Sequence, residues 1–150
     1  MKTFRPYPKR DPKGDYFPLP NEIFLFDLSP GELAVYDFLM RCENRKTYQC
    51  HPSYGTIGEA IGRSKNSVRK YIRSLQDKHL IRTARTTIVT KSGKKRNGSL
   101  LYTICPIGEA IRYRNEQEAK KAEEEAERRR VEEQLSSLIR EYDKTHPSDM

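Results

Sequence analysis

Between Arg63 and Arg96 stand twelve lysines and arginines against a single acid, Asp77, a local charge of +11. Within that block Ser64, Lys65, Asn66, Ser67, Arg69, Lys70 and Arg73 are spaced so that most share the open side of one helix. Lys91, Lys94, Lys95, Arg96 and Asn97 follow in a stretch punctuated by Gly93 and Gly98. The chemistry open to such residues is recognition. Guanidinium and ammonium groups pair with phosphates, Arg or Lys can meet the edge of guanine, and Asn can bond adenine through two hydrogen bonds. Reaction chemistry is not indicated. The chain has no GxxxxGK[ST], HExxH or GxSxG segment and no paired histidines.

The rest of the charge falls differently. Residues 21–62 carry three bases against six acids, and residues 112–150 carry nine against eleven. The net +8 of this 150-residue chain is therefore the property of one block, which favours a polyanionic partner. With 35% hydrophobic and 33% charged residues, the length suits one domain and a polar appendage. No run approaches the ~18–20 apolar residues of a membrane-spanning helix, and no signal peptide is visible, so a cytoplasmic location is expected. Cys42, Cys50 and Cys105 are an odd number without a CxxC, and Cys42, Cys50 and His51 match no compact zinc spacing. They are expected to be buried, apolar thiols, with no metal, cofactor or small-molecule ligand.

The elements that must position the basic block can be read from caps and periodicity. Residues 1–17 hold prolines and bases and are expected to form a flexible arm. Residues 21–28 are short and apolar, a helical turn or two. Ser29-Pro30-Gly31-Glu32 has the form of a capping box opening a helix over about 30–43. Residues 44–52 read as a polar connection. Ser53 caps a short helix over 54–61 that Gly62 ends. Ser64 starts another over about 65–78, with Val68, Ile72 and Leu75 on its buried side and His79 closing its carbonyl end. Tyr54, Tyr71 and Tyr102 are expected to pack more than to stack on bases. β-branched residues at 81–90 and an apolar run at 99–105 predict a hairpin whose cationic loop is 91–98. Pro106 and Gly108 separate it from a long helical stretch over about 109–143, within a domain taken as 107–145, before a disordered end at 146–150.

A short helix, a Gly-containing turn, a second capped helix and a hairpin make the winged-helix arrangement. From about Pro18 to Pro106 the chain resembles the winged helix-turn-helix domains of plasmid and phage replication initiators and their mobile-element relatives. The resemblance rests on Leu19-Pro20-Asn21-Glu22-Ile23-Phe24, Leu28-Ser29 leading into Ala34-Val35-Tyr36, and Gln49-Cys50-His51-Pro52-Ser53-Tyr54. It continues through Ile57-Gly58-Glu59-Ala60-Ile61-Gly62, Ser64, Val68-Arg69, Leu75, Leu80 and Ile81. It implies a domain over 18–106, mainly α with a small β-hairpin, and double-stranded DNA as partner. The role it implies is transcription regulation on a plasmid or mobile element, in a bacterial nucleoid, or binding at a replication origin.

The residues assign the contacts. Ser64, Lys65, Asn66, Ser67, Arg69 and Lys70, at the start of the second helix, are the candidates for base edges. Ser53, Tyr54, Thr56, Arg73, Lys91, Lys94, Lys95, Arg96 and Asn97 are the candidates for phosphates, the last four as a wing tip. Val131, Leu135, Leu138 and Tyr142 follow at intervals of 4, 3 and 4, a short seam through which a homodimer or a scaffold contact could form.

Overall fold

Each of the first three α-helices starts at a serine whose hydroxyl accepts a backbone N–H three residues on. Ser29 opens α1 (Pro30–Cys42), Ser53 opens α2 (Tyr54–Ile61) and Ser64 opens α3 (Lys65–Asp77). These elements come from a computed structural model, which describes Gly14 and residues 16–147. The expected arm at 1–17 lies almost wholly outside the described residues, as do positions 148–150.

At Ser29 the capping box closes in both directions. The Glu32 N–H donates to Ser29 Oγ at 3.2 Å, and the Ser29 N–H donates to Glu32 Oε2 at 3.3 Å. The same carboxylate accepts Ser74 Oγ at 2.7 Å and Lys78 Nζ at 2.9 Å, so it ties the start of α1 to the end of α3. Burial raises the Glu32 pKa, but the hydrogen bonds from Lys78 and Ser74, the Lys78 charge and the Ser29 N–H outweigh it. The net direction is downward. A carboxylate held below its unfolded pKa stabilises the fold above that value, and the contribution disappears as pH falls through the folded pKa. Glu32→Gln is therefore expected to lower stability at neutral pH by about 1–3 kcal/mol. Its melting temperature should converge with the wild type's below the ordinary carboxylate range, which thermal melts across pH will check.

The far end of α3 closes without glycine. His79 takes a left-handed backbone (φ 59°), its N–H donates to Gln76 O at 3.0 Å, and the Leu80 N–H donates to Leu75 O at 3.1 Å. This is the Schellman pattern, and the buried pair Leu75 and Leu80 supplies its apolar contact.

Five short strands follow or intervene: β1 (Gln49–Cys50), β2 (Ile81–Ala84), β3 (Thr87–Val89), β4 (Lys95–Asn97) and β5 (Leu101–Ile104). β5 lies between β1 and β2, antiparallel to both, with Cys50 opposite Tyr102 and Ile81 opposite Ile104. β3 and β4 form a separate ribbon, with Ile88 opposite Arg96 and Val89 opposite Lys95. Four expectations are corrected here. The connection 44–52 contains β1. The hairpin is two ladders, not one, because pairing lapses at Arg85 and Thr86. Residues 95–97 are strand, so the turn at the tip is Thr90–Lys94, where the Gly93 N–H donates to Thr90 O at 2.9 Å and Gly93 has φ 79°. Gly108 lies inside α4 (Ile107–Thr145) and does not precede it.

The core unites helices and sheet. Val35, Tyr36 and Leu39 of α1, Ile57 of α2, and Val68 and Leu75 of α3 are buried with Leu80, Ile81 and Tyr102. A 3-10 turn at Asn21–Phe26 adds Ile23 and Phe26. The chain divides into two compact units between Ala110 and Ile111, the first turn of α4 belonging to the earlier one. There Glu109 pairs with Arg82 of β2 at 3.0 Å. The later unit is the rest of α4, with an Arg114–Glu118 ion pair at 3.2 Å and large apolar side chains exposed from Val131 on. The architecture is the expected one: mainly α, a small antiparallel sheet with a wing, and a long charged C-terminal helix.

Candidate nucleic-acid interface

The turn between α2 and α3 fixes everything beyond it. Gly62 is left-handed (φ 69°), and the Arg63 N–H donates back to Gly58 O at 2.9 Å. The chain passes so close that a Cβ on Gly58 would lie 2.5 Å from Arg63 O, a separation only glycine allows. On the opposite flank of α3, the Tyr71 ring lies on Gly31 of α1, where an added Cβ would sit 2.2 Å from Tyr71 Cζ. Tyr71 therefore packs between helices, and Tyr102 is wholly buried. The expectation that these tyrosines pack is met at both positions.

With Val68, Ile72 and Leu75 turned inward, the rest of α3 sorts onto two exposed lines. Asn66, Lys70 and Arg73, spaced i, i+4 and i+7, form the outer ridge, and all three are exposed. Lys65 and Arg69, one turn apart, instead line an open cleft of about 710 Å³ shared with the first turn of α2 and the base of the wing. Arg69 Cζ stands 5.7 Å from the centroid of the Tyr54 ring, a cation–π arrangement that restricts where the guanidinium can go. The Lys65 stem reaches back toward Gly55, whose added Cβ would be 3.3 Å from Lys65 Cε. Across the cleft are Arg85, Thr86 and Asn97. Among the described residues the cleft holds three cationic side chains, Lys65, Arg69 and Arg85, and no carboxylate lines it.

The serines and Thr56 already have partners. Ser53 Oγ accepts the Thr56 N–H at 3.1 Å and lies 2.9 Å from Thr56 Oγ1. Ser64 Oγ accepts the Ser67 N–H at 3.2 Å and donates to Ser67 Oγ at 3.1 Å. Their first task is to start helices, and a ligand contact would have to share those hydroxyls.

On the wing, Lys91 and Lys94 stand in the tip turn and Lys95, Arg96 and Asn97 on β4. Asn97 lines the cleft, so strand alternation puts Lys95 on the same face and Arg96 with its partner Ile88 on the other. Arg85 was not among the sequence candidates. It stands between β2 and β3, outside both strands, and lines the cleft.

The cysteines separate. Cys50 and Cys105 are buried while Cys42 is exposed, which corrects the expectation for Cys42. Burial, with Cys42 and Glu43 nearby, raises the Cys50 thiol to about 12, and burial also raises Cys105, so both remain protonated and inert at neutral pH. Among the described residues no helix is long and apolar enough to cross a membrane.

Residues 27–81 match the family model of a helix-turn-helix domain. This helix-turn-helix runs from just before α1 to the first residue of β2, so the α2–α3 pair and its glycine turn lie within it. The wing and all of α4 lie beyond it. Among solved structures the chain is similar to one described as a "possible transcriptional regulator" from Methanosarcina mazei Go1. The two are 14% identical, the match covers 67% of this chain and 78% of that one, and the TM-score is 0.44. No curated protein matches the chain.

Proposed function

We propose that this protein binds double-stranded DNA sequence-specifically and regulates transcription from a plasmid or mobile element, acting in a bacterial cytoplasm on the nucleoid. The observation that carries the reading is a cationic surface built on a helix-turn-helix, with no carboxylate among the described residues that line its cleft. α3 presents an exposed Asn66–Lys70–Arg73 ridge, with Lys65 and Arg69 beside it, and three cations line the cleft toward the wing.

A helix ~10–12 Å across fits a major groove ~12 Å wide. Placed there, α3 offers Asn66 to adenine, Arg69 or Lys70 to guanine, and Arg73 to a phosphate. Ser64, Lys65 and Ser67 border the same bases, while Ser53, Tyr54 and Thr56 approach the flanking backbone. The action is recognition and not catalysis. Selection from a randomised duplex pool tests this: one motif should be enriched, and enrichment of none would contradict it. The resemblance to replication initiators favours a second reading, binding at a replication origin. Genome-wide recovery of bound DNA separates the two by whether the sites fall at promoters or at an origin.

The wing supplies affinity. Lys95→Ala should weaken binding to every duplex and flatten the slope of log K against log salt by about 1, whereas Arg96→Ala should leave that slope nearly unchanged. Salt titrations of both variants on two unrelated duplexes check the assignment.

A further inference from the structure

From Val131 onward α4 carries five exposed large apolar residues, Val131, Leu135, Leu138, Ile139 and Tyr142, each 54–62% exposed. At 100° per residue they fall within an arc of roughly 100°, the width of a packing stripe. Upstream the same line is occupied by Lys121, Glu124 and Arg128, so the stripe begins sharply at Val131. The Tyr142 ring is held in place at its far end: it stacks on His146 with centroids 4.3 Å apart, and the His146 N–H donates to Tyr142 O at 2.9 Å.

We infer that this stripe pairs with the same stripe of a second copy, the two helices running antiparallel. The charges beside it select the orientation. With Leu135 and Tyr142 at a positions and Val131 and Leu138 at d, a parallel pair sets Arg128 against its own copy. It also sets Glu127 against Glu132 on both flanks. An antiparallel pair centred between Ser136 and Ser137 removes all of these like-charge contacts. Leu135 then faces Leu138 of the second copy, and Val131 faces Tyr142. Glu132 flanks Ile139, Gln134 flanks Glu141, and Arg128 meets Thr145. The arrangement has the two-fold symmetry of an isologous contact.

Barely two heptads take part, fewer than the three or four of a sustained coiled coil. Self-association is therefore weak, with a dissociation constant on the order of 10–100 µM. The pairing is independent of the DNA-binding reading.

Sedimentation of the full chain across that concentration range is the first test, with a concentration-dependent monomer–dimer shift expected. Leu135→Glu with Leu138→Glu should abolish the shift while helicity by circular dichroism and the melting of the first unit stay unchanged. Orientation is read by disulfide trapping in a Cys42→Ser background, mixing Val131→Cys chains with Tyr142→Cys chains. These positions are adjacent in the antiparallel pair but about 16 Å apart along the axis in the parallel one, beyond the reach of a disulfide. The mixed disulfide is the expected product. A monomer at every concentration, dimers that survive the Glu substitutions, or disulfides only between like chains would each overturn the proposal.

Discussion

Replacing Arg69 by alanine is expected to lower affinity for the preferred duplex by about 1–3 kcal/mol, roughly 5- to 150-fold, with a much smaller effect on unrelated duplexes. Arg69 stands on the first half of α3, on the line that faces the cleft, and Tyr54 restricts its guanidinium. A restrained guanidinium loses less conformational entropy on binding a guanine edge than a free one does. Tyr54→Leu should therefore reproduce part of the lost discrimination, and Tyr54→Phe, which keeps the ring, should not. Fluorescence anisotropy on the selected duplex and on its single-base variants checks both points. Discrimination should collapse at one base pair in Arg69→Ala and weaken at that same pair in Tyr54→Leu. Uniform loss across all sequences would make Arg69 a phosphate contact.

Gly58→Ala should be the most damaging conservative change in the domain, costing about 1–3 kcal/mol, at the upper end of that range. The added methyl would meet a backbone carbonyl, Arg63 O, at 2.5 Å, and a carbonyl cannot swing aside as a side chain can. On its other side the methyl faces Val68 Cγ2 at 3.7 Å, so the helix cannot back away without disturbing the core. The turn must open, breaking the Arg63 N–H to Gly58 O hydrogen bond and shifting α3 on the domain. Chemical denaturation should show the lost stability. Footprinting should show weaker binding in excess of that loss, because the recognition helix is displaced as well as loosened.

What could be read in the sequence was local. The bounds of α2 follow from Ser53 and Gly62 alone, the start of α1 from its serine cap, and α3 from its serine cap and the spacing of Val68, Ile72 and Leu75, because a cap acts within one turn of its own residue. What escaped was set by distant partners. Gln49 and Cys50 are strand only because they pair with Thr103 and Tyr102, and two residues carry no periodicity to find. The break in the hairpin at Arg85 and Thr86 likewise depends on β5 taking β2 as partner while β4 takes β3. Within the candidate site, residue types pointed to Asn66 and Arg69 but could not divide them between ridge and cleft. The Tyr54–Arg69 contact joins two helices across the turn. Ile139 was passed over because the seam was read at 4, 3, 4 spacing, whereas the helix exposes a stripe wide enough to include it.

The central claim is that a cationic helix and wing read duplex DNA by sequence. Titrating salt against binding, on the selected duplex and on an unrelated one of equal length, tests it most directly. With about five to seven phosphates contacted, log K should fall against log salt with a slope near −4.5 to −6 on the selected duplex, which should bind far more tightly than the other at every salt concentration. Equal affinity for both duplexes, or a slope shallower than about −2, would contradict the account.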